Sequence, residues 1–138
     1  MMKRILSCIL LFILFVGAGL PLQKSSIRVK DSSLTVEWAK SESERIQGLQ
    51  GRSHLPEDEG MIFDYGDSEQ FLKFWMKNTL IPLSIAFVDK NGRIRQIEDM
   101  EPNTLRPHAS KRKVRYALEV NQGWFRRHGI QDGDTLQF

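Results

Sequence analysis

Glu37, Arg52 and Glu119 are the residues of this sequence whose types could carry acid–base chemistry. Glu37 shares one side of an alternating run with Thr35 and Ala39, and Glu119 does the same with Ala117 and Asn121. Strands made from such runs can meet across a sheet, and two carboxylates in one cleft split their pKa values into an acid and a base. Arg52 held between them would make a bidentate pair with a carboxylate. The structural reading of the same three residues is an ion-pair network beneath a loop, which perturbs pKa values much as an active site does.

A second group could bind rather than react. Trp75, Asn78 and Thr79 would set an aromatic platform and two polar side chains at the lip of a pocket, with Arg52 as a further ligand-binding candidate. Alternatively, Phe74, Trp75 and Met76 fill a core, while Asn78 and Thr79 satisfy the backbone of a turn. His54, His108 and His128 share no i, i+4 or i, i+2 spacing, so no metal site is expected and all three are placed on the surface. Arg106, Lys111, Arg112, Lys113 and Arg115 could touch phosphate or anionic headgroups, but lacking interleaved aromatics they read as a solvated loop. There is no Gly-x-Ser-x-Gly elbow, phosphate-cradling loop or dinucleotide fingerprint, and no cofactor is expected.

These residues need elements to hold them. Ile27 and Val29 suggest a first strand, and Leu34, Val36 and Trp38 alternate with Thr35, Glu37 and Ala39 as in a half-buried second one. Ser41 to Glu44 is a capping box, which predicts a short helix running to about Leu49. An acidic loop from His54 to Gly60 precedes the apolar Met61-Ile62-Phe63. Strands are expected over Phe71–Met76 and over Leu83–Asp89, the latter buried on both faces as the core of the sheet. Asp89-Lys90-Asn91-Gly92 marks a hairpin returning through Arg93–Ile97. The stretch from Glu101 to Lys113 reads as a long surface loop, followed by a strand from Tyr116 to Asn121. A short helix from Trp124 to His128 stops at Gly129, and a last strand covers Thr135–Phe138. Together these predict a mainly β fold, an antiparallel β-sandwich or partly open barrel of jelly-roll-like build, with two short helices.

The chain has 138 residues, enough for one domain of residues 23–138 behind a leader of residues 1–22. Met1 to Arg4 form a positive start and Ile5 to Val16 an apolar run, followed by Val16-Gly17-Ala18, which predicts cleavage after Ala18. An uncleaved hydrophobic leader helix acting as a membrane anchor is the alternative. The lone cysteine, Cys8, lies in the leader, so the remainder forms no disulfide. Without Lys3 and Arg4 the remainder holds 18 basic and 17 acidic residues, a balance that gives no support to nucleic-acid binding.

Several segments are familiar in combination: Glu37-Trp38-Ala39, Gly48-Leu49-Gln50-Gly51-Arg52, Gly60-Met61-Ile62-Phe63, Phe74-Trp75-Met76-Lys77-Asn78-Thr79 with Pro82-Leu83, and Leu118-Glu119-Val120-Asn121-Gln122-Gly123. In this order they resemble the family known as domain of unknown function 192, over nearly everything after Leu34. The resemblance implies a small exported or envelope-associated β-sandwich without an established activity. Gln50 stands where that family usually has Met, and Ser84 where it usually has Asp. A catalytic or metal-binding role of that Asp would be missing here.

Three functions follow as expectations. The first is a cell-envelope module, periplasmic, extracellular or anchored to the inner membrane, that binds a small polar ligand such as a saccharide or a carboxylated metabolite. The second is an enzyme using Glu37 and Glu119 as its paired carboxylates. The third is an envelope protein-interaction domain. Membrane contact is expected only through a retained leader.

Overall fold

The computed structural model describes residues 20–138, so the leader's apolar run, Cys8 and the cleavage position after Ala18 lie outside the described residues. Lys24–Val29 (β1) and Ser32–Ala39 (β2) form an antiparallel hairpin. Glu42–Gln47 (α1) follows because the capping box closes: Ser41 Oγ accepts from the Glu44 amide at 3.2 Å, and the Glu44 carboxylate accepts from the Ser41 amide at 2.9 Å. Glu59–Asp64 (β3) then lies parallel to β2, with Glu37 opposite Met61. The expected all-antiparallel arrangement is corrected at this pair. α1 and the loop after it carry the chain back to the end where β2 began, the kind of crossover that parallel neighbours require.

Lys73–Phe74 (β4) pairs with His108–Ala109 (β7) in a two-stranded ribbon. The strand expected over Phe71–Met76 is thus reduced to two residues, and the stretch expected as loop from Glu101 to Lys113 supplies its partner. Leu83–Val88 (β5), Ile94–Met100 (β6), Tyr116–Asn121 (β8), Trp124–Arg127 (α2) and Leu136–Gln137 (β9) complete the chain. The main sheet has seven strands in the order β6-β5-β8-β3-β2-β1-β9. It is a curled half-barrel whose outer strands approach each other at one point, a bridge between Arg93 and Thr135. There the Leu136 amide donates to the Gly92 carbonyl at 2.7 Å. Gly92, at φ 83°, closes the β5–β6 hairpin, and a Cβ on it would stand 2.7 Å from the Leu136 oxygen.

Each face of the sheet carries its own core. On one, Leu34, Val36, Ile62, Leu118 and Val120 pack beneath Trp124 and Phe125 of α2. On the other, Met61, Phe63, Ile85, Phe87 and Ala117 pack beneath Leu72 and Met76 of the ribbon and Leu49 and Leu55 of the segment after α1, with Leu22 against the same cluster. β5 is buried along its whole length because it has a cover on both faces, as its unbroken apolar run implied, although it lies second from the edge. Among the described residues no helix is long and apolar enough to cross a membrane.

Candidate functional site

The register aligns five residues across the face that the ribbon covers: Glu37, Met61, Glu119, Ile85 and Glu98, on β2, β3, β8, β5 and β6. Three carboxylates therefore alternate with two apolar side chains along one row. With strands about 4.8 Å apart, alternate members of the row are about 10 Å apart at the backbone. Each carboxylate has a different environment. Arg52 Nη1 stands 2.6 Å from Glu37 Oε2. Glu98 takes the Gln96 side-chain amide and lies 3.3 Å from His108 Nδ1. Among the described residues Glu119 has no hydrogen-bond or ion-pair partner, and only 4% of it is exposed. Burial alone pushes its carboxyl up to about 8, so the protonated acid is the prevailing form at neutral pH.

Glu119 forms the floor of a cleft of about 390 Å³, together with Phe63. One wall is α1 and the turn after it, through Arg45, Gly48, Leu49 and Gln50; the other is the ribbon, through Lys73, Phe74 and Trp75, with Thr79 at its base. Gly48, at φ 46°, lets the turn lie close over the floor, since a Cβ there would come within 3.2 Å of the Phe63 ring. Arg45, in the last turn of α1, donates to the carbonyls of Lys40 and Asp64 and covers the Tyr65 ring at 4.6 Å, so its guanidinium is fixed as part of the wall. Tyr65 also has its pKa raised, chiefly by burial. Phe74 meets the Phe63 ring edge-on at 5.0 Å and anchors the ribbon to the sheet. That leaves Trp75 at the rim, 51% exposed, with Lys77 Nζ 5.3 Å from its ring centre.

The residues singled out from the sequence divide accordingly. Trp75, Thr79 and Glu119 meet in the cleft. Thr79 is buried, its hydroxyl donating to the Lys77 carbonyl at 3.2 Å. Asn78 is exposed outside the cleft, in the left-handed turn at φ 53°, where its carbonyl accepts from the Gly51 amide at 2.9 Å. Glu37 and Arg52 pair in a neighbouring groove beside Leu22 and Ser43. The expected arrangement with Arg52 between two carboxylates is therefore corrected, because Met61 occupies the place between them. His108 is corrected as well: it is buried at 3% exposure beside Glu98, not on the surface. Arg45, Tyr65 and Lys73 were not anticipated, and the only cue for Arg45 was a cation in the last turn of a capped helix.

Away from the cleft, Ser84 Oγ donates to Asp99 Oδ1 at 2.6 Å and accepts from the Gly123 amide at 2.9 Å, while Arg126 reaches Asp99 at 3.2 Å. Ser84 thus has a structural task, fastening the entry of α2 to β5 and β6.

The family model described as DUF192, an uncharacterised ancient conserved region, matches residues 25–138. The chain belongs to the DUF192 family. No functionally curated protein matches it. Among solved structures, this DUF192 protein is similar to a candidate transcription regulator from Sinorhizobium meliloti 1021, at 36% identity and a TM-score of 0.82, over 86% of this chain and 96% of that one. It is also similar to a protein of unknown function from Novosphingobium aromaticivorans, at 32% identity and a TM-score of 0.79, over 85% and 86% of the two chains. The segments that carried the resemblance map onto the site of this DUF192 chain: Gly48 to Gln50 and Phe74-Trp75 form its two walls and Glu119 its floor. Gln50, where the family usually has Met, is in the wall, its side-chain amide donating to the Ile46 carbonyl at 2.9 Å.

Proposed function

We propose that this protein is a binding module for a small polar ligand, held in the cleft above Glu119. The observation that carries the proposal is a largely buried carboxyl that has no partner among the described residues and whose oxygens open onto a cleft instead of being sealed in the core. A carboxyl with so little exposure to water gains from a hydrogen bond, and a ligand hydroxyl in the cleft would supply one. As a neutral acid, Glu119 offers one donor and acceptor oxygens to such a group. Trp75 at the rim supports a saccharide, whose C–H face packs on an aromatic ring, while Lys73 would suit a carboxylated metabolite. Both ligands fit the exported, envelope setting that the leader's composition suggests.

Thermal unfolding measured across a panel of saccharides and small carboxylic acids tests this. Stabilisation by members of one class, lost in Glu119→Ala and Trp75→Ala, is the expected result, since a ligand that binds only the folded state raises its midpoint. No stabilisation by any compound, or stabilisation that survives both substitutions, contradicts it.

The raised pKa of Glu119 favours a second reading, an enzyme in which this residue acts alone as general acid or base. Glu37 is not its partner, being held by Arg52 on the far side of Met61. Under this reading Glu119→Gln abolishes turnover while the fold is retained, whereas ligand binding unaccompanied by any product supports the module.

A further inference from the structure

The outer face of the β4–β7 ribbon takes no part in the core. Along the first strand and its extensions Leu72 and Met76 turn inward, leaving Phe71, Lys73, Trp75 and Lys77 outward. Opposite, His108 and Ser110 turn inward, leaving Leu105, Pro107, Ala109 and Lys111 outward. Phe71 and Leu105 are 63% and 64% exposed, and Trp75, Leu105 and Pro107 line one shallow hollow. Single exposed apolar residues are ordinary, but several gathered on one ribbon mark a contact surface.

The charge on this ribbon is one-sided. Residues 71–77 and 105–113 contain six Lys or Arg and no Asp or Glu, while the rest of the chain after Arg4 contains 12 basic and 17 acidic residues. The near-neutral total therefore conceals a cationic ribbon on an acidic body. Among the described residues Lys73, Lys77, Arg106, Lys111, Arg112 and Lys113 form no ion pair, whereas Arg52, Arg115, Arg126 and Arg127 each pair with an acid. Leu22 packs in the same core as Leu72 and Met76, so the chain that follows the apolar run of Ile5–Val16 enters the domain on the face the ribbon covers.

We propose that this ribbon docks on an anionic lipid bilayer, with Phe71, Trp75 and Leu105 at the boundary between headgroups and acyl chains and the outward-facing Lys73, Lys77 and Lys111 on lipid phosphates. An aromatic ring with one wet edge favours that boundary, and clustered Lys and Arg are drawn to anionic headgroups. A single-stranded nucleic acid fits less well. Lys77 stands over the Trp75 ring, where a base would stack, and Leu105 and Pro107 offer no stacking face. Trp75 and Lys73 stand on the rim shared by this face and the Glu119 cleft, whereas Phe71, Leu105, Lys77 and Lys111 lie outside the cleft lining.

The test uses the full chain with phosphatidylcholine vesicles, with and without phosphatidylglycerol, carrying brominated acyl chains. Tryptophan emission reports on the domain alone, because Trp38, Trp75 and Trp124 all lie outside the leader. Trp124 is buried, and Trp38 packs against the opposite core. The expected result is quenching in the phosphatidylglycerol vesicles that is largely lost in Trp75→Phe and is reduced several-fold in the double variant Lys73→Glu, Lys77→Glu. These positions are exposed, and circular dichroism checks that each variant keeps its fold. Absence of quenching, equal quenching in Trp75→Phe, or equal quenching without phosphatidylglycerol overturns the proposal. So does quenching of Trp75 by a single-stranded oligonucleotide where the brominated lipids have no effect.

Discussion

Glu37 and Glu119 lie on the same face of the sheet, two strands apart, with Met61 in register against both. This makes them electrostatically distinct instead of a coupled pair. One is bound to a guanidinium in a neighbouring groove, and the other lies at the foot of a cleft without a partner among the described residues. The chemistry of the site is therefore that of a single neutral carboxyl group with an aromatic rim.

The first consequence concerns pH and stability. Glu119 has a folded pKa of about 8 against an ordinary value of 4.5, so between these values the unfolded chain has lost a proton that the folded chain keeps. Stability must fall as pH rises through that window and level off above it, by an amount on the order of 5 kcal/mol at most. Glu119→Gln removes this contribution. Urea unfolding at a series of pH values should show the variant gaining on the wild type from about pH 5 to pH 9, and parallel profiles would refute the assignment.

Gly60 is fixed by a close approach of strands. A Cβ there would lie 2.6 Å from the backbone oxygen of Glu119, which cannot swing aside as a side chain could. Gly60→Ala should therefore cost about 3 kcal/mol through overpacking and displace Glu119 from the cleft floor. Loss of less than about 0.5 kcal/mol in urea unfolding would show that the strands have room to separate.

Ser84 provides a contrasting case, a buried hydroxyl that both donates and accepts. Ser84→Ala leaves the Gly123 amide without its acceptor, which should cost about 1–3 kcal/mol in the same measurement. Hydrogen exchange should rise at Gly123 and through α2 while the β2–β3 amides stay protected. Unchanged exchange at Gly123 would mean that another acceptor replaces the hydroxyl.

For the Glu37–Arg52 pair a small effect is expected. Arg52 keeps a third of its side-chain surface in solvent, so a double-mutant cycle with Glu37→Gln and Arg52→Met should give a coupling of about 1 kcal/mol or less. Neither substitution should alter ligand stabilisation in the Glu119 cleft. A loss as large as that in Glu119→Ala would restore Glu37 to the site.

What could be read from the residues beforehand follows the range of the interactions involved. The Ser41–Glu44 capping box, the Asp89–Gly92 hairpin and the faces of the Tyr116–Asn121 strand depend on neighbours a few positions away, and all form as expected. The parallel placement of β3 on β2 and the pairing of Lys73–Phe74 with His108–Ala109 depend on distant partners. Nothing periodic in the Glu101–Lys113 stretch announces a strand, because only two of its residues pair. The cleft was half legible for the same reason. Trp75, Thr79 and Glu119 stood out by type and alternation, but Arg45 enters only because α1 packs over the sheet, and Asn78 and Arg52 drop out because their turns face elsewhere.

Direct titration of the Glu119 side-chain carboxyl by carbon NMR, assigned by the loss of its signal in Glu119→Gln, is the sharpest test of the site. A midpoint near pH 8 is the result that a buried, unpartnered acid requires. A midpoint near 4.5 would mean that water or a charge already satisfies this group, and the cleft would lose the feature on which its binding role depends.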